Sequence, residues 1–102
     1  MIHVIATIEL VAGRREEFLQ AFHELVPLVL AEDGCLEYGP TVDVASGIPV
    51  QQEIRSDVVT VVEKWEDLDA LHAHLAAPHM EKYREKVNSI VLGMSLQVLQ
   101  GA

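Results

Sequence analysis

The order of elements predicts an α+β fold of the ferredoxin-like, split βαβ kind. Two patterns lead there: alternating or β-branched apolar runs open, divide and close the chain, and apolar residues recur at helical spacing in the stretches between them. Size is the third observation, because 102 residues make one domain, 1–102, around one core.

Ile2 to Val11 alternates, with Ile2, Val4, Ala6, Ile8 and Leu10 on one side and His3, Ile5, Thr7, Glu9 and Val11 on the other, which is a first strand. Gly13 turns the chain. From Arg14, the residues Phe18, Phe22, Leu25, Val26, Val29 and Leu30 form one stripe, which predicts a long helix to about Glu32. Pro27 lies inside it and removes the N–H that would bond the His23 carbonyl, so a kink costing about 3 kcal/mol is expected, either to wrap the sheet or to shape a pocket. Glu32, Asp33 and Gly34 end the helix, and Leu36 to Val44 reads as a second strand interrupted by Gly39 and Pro40, as edge strands are. Ala45 to Asp57 is loop-like, with Val50 to Ile54 a brief hairpin arm.

Val58 to Tyr83 reads VVTVVEKWEDLDALHAHLAAPHMEKY. Its β-branched start is a third strand ending at Trp65. Leu68, Leu71, His72 and Leu75 then repeat at i, i+3, i+4 and i+7, with Asp67 able to cap the first turn. Pro78 suits the first turn of a further helix, which carries His79 and Tyr83 on one face and runs to Leu92; Gly93 caps it, and Met94 to Leu99 closes the chain as a strand. The order is β α β β α β with the second helical region broken at Pro78.

Right-handed crossovers put the helices on one face of the sheet. The first and third strands also carry apolar residues on their other side, Ile5 among them, so a bare apolar face is expected, and a homodimer with sheets packed face to face covers it.

A formal charge of -9, from 16 acidic and 7 basic residues, repels a phosphate backbone, and no basic stripe appears, so nucleic acid is not an expected partner. Glu16, Glu17, Glu24, Glu32, Glu81 and Glu85 fall where solvated helix faces are expected. No apolar run approaches the roughly 18 residues that cross a membrane, and the N-terminus does not resemble a secretion signal, so a soluble, cytoplasmic protein without membrane contact is expected. Cys35 is the only cysteine and reads as structural in a reducing compartment.

The run WEDLDALHAHLAAPHMEKY resembles the antibiotic biosynthesis monooxygenase (ABM) domain family, whose signature is a strand ending in W-E, then A-H-L, then P-H. These are Trp65-Glu66, Ala73-His74-Leu75 and Pro78-His79. Val26-Pro27, Glu32 with Gly34-Cys35, Tyr38, Pro40, Val42-Asp43, Gly47, Tyr83 and Leu99-Gln100 extend the likeness over almost the whole chain, toward the family's quinol monooxygenases that act on menadiol. His72 and Asn88 match no residue of that pattern. The resemblance implies a dimeric α+β barrel and oxidation of quinols or phenolic polyketides by dioxygen, commonly with no bound flavin or metal. The family also holds haem-degrading enzymes, aldehyde-forming lyases and proteins without known activity, and a fold match does not choose among them.

Quinol oxidation begins with loss of a phenolic proton, because the phenolate gives up an electron to dioxygen far more readily, and histidine is suited to take it near neutral pH. His74 and His79 are the candidates, one as base and the other holding the second oxygen; packed helix histidines are the alternative. Trp65 can stack on a flat ring or simply fill the core, and Tyr38 and Tyr83 can bond a quinone oxygen or simply pack. Glu63 shares the strand face of Trp65 and is either a partly buried acid or a solvated strand end. His72 and His74 point about 200° apart on one helix and Cys35 stands alone, so no metal is expected. Neither G-x-G-x-x-G nor a P-loop occurs. The expected activity is therefore oxidation of a hydroquinone or polycyclic phenol by dioxygen as co-substrate, with no tightly bound cofactor. The rivals are a non-catalytic dimeric barrel that binds an apolar aromatic ligand, and a haem- or ring-oxidising enzyme.

Overall fold

The computed structural model describes all 102 residues, as β1 (Ile2–Leu10), α1 (Arg15–Leu30), β2 (Cys35–Thr41), β3 (Val58–Trp65), α2 (Leu68–Leu75), α3 (Pro78–Val87) and β4 (Val91–Gln100). The strands form one sheet in the order β2-β3-β1-β4, with every neighbouring pair antiparallel. Each helical crossover therefore spans one intervening strand, as the split βαβ arrangement requires. No helix is long and apolar enough to cross a membrane.

The alternation in β1 decides which face is covered. Val4, Ala6, Ile8 and Leu10 are buried under the helices, and their register partners on β3, Glu63, Val61 and Val59 among them, are buried on the same face. Phe18, Phe22, Leu25 and Val29, the apolar stripe of α1, close this layer from above. On the other face Ile5, Val58 and Val62 stay partly exposed in the single chain. Asp67 caps α2 as expected, accepting from the Ala70 N–H at 2.8 Å, and Pro78 occupies the first turn of α3.

Three expectations are corrected. The last helix stops at Val87, where the Ile90 N–H bonds the Val87 carbonyl at 2.9 Å and the Val11 N–H draws the Ile90 carbonyl to 2.8 Å. That pairing starts β4 at Val91, so Gly93 lies inside the strand opposite Glu9 rather than capping a helix. Residues 50–54 form no strand; a two-pronged contact of Arg55 with Asp43, at 2.8 and 2.9 Å, fastens the long connection instead. Pro27 lies inside α1 and is exposed, and it is not among the residues that line the apolar cavity under α3.

The turn after α1 is pinned closely to the start of α2. Gly34 has φ +82°, its carbonyl accepts from the Glu66 N–H at 2.9 Å, and an added Cβ would lie 2.6 Å from the Cβ of Ala70. Both the backbone conformation and the contact exclude a side chain. The Gly34→Ala variant is accordingly expected to lose about 2 to 4 kcal/mol of stability in urea denaturation; an unchanged midpoint would show that the turn is not held this tightly.

Candidate active site

The layer between the sheet and the helices buries two polar side chains among its apolar ones. Glu63 and His74 are the only polar residues of the buried set, and the physical question is how each is satisfied. Glu63 projects inward because β3 alternates, in register with Val4 on one side and Tyr38 on the other. Its Oε1 accepts from the indole N–H of Trp65 at 2.9 Å. Burial, with the charge of Glu32 nearby, pushes its pKa up to about 7 against the opposing pull of the Trp65 bond.

His74 comes in from α2, where the apolar face of the helix turns it down onto the sheet. Its ring lies 4.6 Å from the Trp65 ring and 5.3 Å from that of Tyr38, centroid to centroid. Nδ1 is 2.9 Å from Glu32 Oε2, and the same oxygen lies 2.7 Å from His79 Nε2. A carboxylate only accepts, so the hydrogen-bond network assigns the proton of His74 to Nδ1 and that of His79 to Nε2. Burial lowers the pKa of His74 and outweighs the opposing pull of Glu32, which keeps the imidazole neutral.

Nε2 of His74 has no hydrogen-bond partner, yet no sequestered side-chain nitrogen or oxygen in the chain lacks one. Its opening is a cavity of about 300 Å³ beneath α3. Twelve of the 16 lining residues are hydrophobic, so a ligand here is mostly apolar. Ala6, Ile8 and Val61 form the floor, Met80, Tyr83 and Val87 the roof, and Met94 and Leu96 of β4 one flank. Tyr38, Glu63 and His74 bring polar atoms to it from three different elements, and Arg84 and Asn88 stand at its α3 side. Burial raises the pKa of Tyr38 and of Tyr83, so both hydroxyls stay protonated.

Of the residues singled out by sequence, His74, Tyr38, Tyr83 and Glu63 line this cavity. Trp65 and His79 do not. Trp65 is 0% exposed and stands behind Glu63 and His74, holding one and packing on the other, rather than offering a face to a ligand. His79 reaches Glu32 from outside the cavity, so the two histidines do not share a ligand's two oxygens. His72 is exposed, as its spacing from His74 requires. Cys35 is half-buried, and burial beside Glu32 and Glu63 pushes its thiol up to about 11, which suits a structural role.

Glu32 is the residue that periodicity hid: it was expected on a solvated face and is instead the shared acceptor of two histidines. One signal was available, because an acid at a helix C-terminus opposes the macrodipole and so calls for another partner. Glu32 Oε2, His74 Nδ1 and His79 Nε2 lie within 4.8 Å of one another, a three-donor set that could hold a divalent cation. A neutral imidazole bound to metal through Nδ1 carries its proton on Nε2, so metal occupancy and an unprotonated Nε2 at the cavity exclude each other.

The sequence profile of the Antibiotic biosynthesis monooxygenase family matches residues 1–86. The chain belongs to that family. This ABM protein is 41% identical over 102 residues to the Escherichia coli (strain K12) protein named "Probable quinol monooxygenase YgiN", covering 98% of this chain and 97% of that one. Its fold is also that of two solved structures. PA3566 from Pseudomonas aeruginosa aligns with TM-score 0.81 and 24% identity over 99% of this chain and 93% of the other. Rv0793 from Mycobacterium tuberculosis aligns with TM-score 0.80 and 20% identity over 99% and 94%.

The Glu63 environment has a consequence for the stability of this ABM domain. The folded chain keeps a proton on Glu63 that the unfolded chain releases between the ordinary 4.5 and about 7, so stability falls as pH rises through that window. Glu63→Gln keeps the shape and the acceptor for Trp65 without a charge to bury. Chemical denaturation is expected to find this variant gaining about 2 kcal/mol on the wild type between pH 5 and pH 8; a constant difference would mean that the carboxyl is not desolvated.

Proposed function

We propose that this ABM protein oxidises a hydroquinone or related phenol to the quinone with dioxygen, without a tightly bound cofactor. The observation that carries the reading is a histidine that lines an apolar cavity, with Nδ1 2.9 Å from Glu32 Oε2 and no partner at Nε2. Such a nitrogen is a general base, and a phenolic hydroxyl is the proton donor that an apolar, ring-sized cavity would present to it. In this reading His74 takes the proton, and Glu32 stabilises the imidazolium that forms. His79 holds the other side of the Glu32 oxygen, and Trp65 fixes the ring plane of His74 from behind. Tyr38 and Tyr83 offer hydroxyl hydrogen bonds to quinol oxygens. The name of the Escherichia coli relative points to the same substrate class.

Menadiol, a bicyclic quinol, is the test substrate. Oxygen uptake by pure, metal-stripped protein is expected to exceed autoxidation and to fall about 10²- to 10⁴-fold in His74→Ala. Glu32→Gln should move the rate in the same direction, and His79→Ala should cost less than His74→Ala because His79 stands outside the cavity. The rising, acid limb of the pH profile is expected to be complete below 6.5, the ordinary histidine value, because burial keeps His74 free of its second proton. Wild-type uptake in His74→Ala would remove the base from the reading, and menadione binding without any turnover would favour a binding protein.

The working unit is a homodimer in the cytoplasm, its sheets packed through the helix-free faces into an α+β barrel. Partly exposed Ile5, Val58 and Val62 on that face support it. Light scattering at micromolar concentration should give about twice the 11.3 kDa chain mass; the mass of one chain would exclude the dimer.

A further inference from the structure

Taking a proton from a quinol is half of the proton traffic, because dioxygen that accepts two electrons must also be protonated. Two groups at the cavity then carry a proton, the His74 imidazolium, which the Glu32 carboxylate stabilises, and the Glu63 carboxyl, which has no opposite charge beside it. We propose that the Glu63 carboxyl, aimed into the cavity by its bond to Trp65, is the acid that protonates the reduced dioxygen. The inference rests on the quinol-oxidising reading above and adds a second reacting group to it.

The argument starts from the two carboxyl oxygens. Oε1 already accepts from the Trp65 indole N–H, so in the acid form the proton sits on Oε2. Oε2 has no partner in the protein, and since no sequestered side-chain oxygen is unpaired, it meets the cavity that Glu63 lines. The proton is thus held on the one oxygen from which a ligand can take it. Other groups facing the space serve less well. The Tyr38 and Tyr83 hydroxyls are driven by burial toward even weaker acidity. Arg84, which binds the Leu75 carbonyl, donates hydrogen bonds but keeps its protons. The walls from α1, β1 and β4 are apolar: Phe22, Ala6, Ile8, Met94 and Leu96.

The step balances. His74 Nε2 takes one phenolic proton and leaves the quinolate. The quinolate gives two electrons and its remaining hydroxyl proton to dioxygen, forming quinone and hydroperoxide anion. That anion takes the Glu63 proton and leaves as hydrogen peroxide, and the carboxylate regains a proton from the His74 imidazolium through solvent. One quinol and one dioxygen become one quinone and one hydrogen peroxide.

The test compares wild type, Glu63→Gln and His74→Ala on menadiol, reading quinone formation, hydrogen peroxide and anaerobic menadione binding. Glu63→Gln is expected to bind menadione as the wild type does while kcat falls about 10²- to 10³-fold. The wild-type kcat should decline as pH rises through about 7, where Glu63 loses its proton, and the variant should lack that decline. A solvent deuterium isotope effect on kcat in the wild type that vanishes in the variant would add support. Equal kcat and an unchanged pH profile in an active wild type and Glu63→Gln would overturn this proposal alone. Loss of menadione binding in Glu63→Gln would also overturn it, since the carboxyl would then only shape the cavity. Absence of wild-type turnover would remove both this step and the quinol-oxidising reading.

Discussion

One carboxylate oxygen organises the candidate site. Glu32 Oε2 accepts from His74 on α2 and from His79 on α3, and so ties the end of α1 to both halves of the broken helical region. The arrangement depends on two backbone devices. Gly34 lets the turn lie against Ala70 at a distance no side chain would allow, and Pro78 restarts the helix so that two histidines five positions apart approach one acceptor from different directions. Each polar contact is modest alone. In this partly buried setting a group left without its partner carries a desolvation penalty of up to about 1 to 3 kcal/mol, so the contacts support one another.

A second pair, Glu63 with Trp65, sits one layer deeper, and the two pairs give opposite results from the same burial. Desolvation disfavours charge on both His74 and Glu63, which leaves a base without its extra proton and an acid with its proton facing one apolar space. Two groups shifted in opposite directions from their ordinary values, toward neutrality, are a pattern that marks sites of acid–base chemistry.

Much of the architecture was legible because it rests on period. Alternation in β1, the α1 stripe, the β-branched opening of β3 and the Asp67 and Pro78 helix starts all follow from local rules that the tertiary structure obeys. The end of α3 was not legible, because Ile90 and Val91 continue a helical pattern and only the pull of the Val11 N–H on the Ile90 carbonyl makes the chain leave it. For the site, His74 and Glu63 could be marked by type and position. Glu32 was harder to place, since its partners lie more than 40 positions away and the one local signal is an acid at a helix end. Trp65 shows the limit of residue type: stacking platform and core side chain were both open from sequence, and the indole is a hydrogen-bond donor packed behind Glu63 and His74.

The cavity is also divided along the chain. Glu32, Glu63, Trp65 and His74 all precede position 75, whereas nine of the 16 lining residues, from Leu75 to Leu96, belong to the remainder. Most of the contour is thus written apart from Glu63 and His74. Changes after residue 75 can re-cut the space for a larger or differently substituted ring while the upstream machinery stays as it is. A lineage built on this plan can diversify its substrates without reinventing its chemistry.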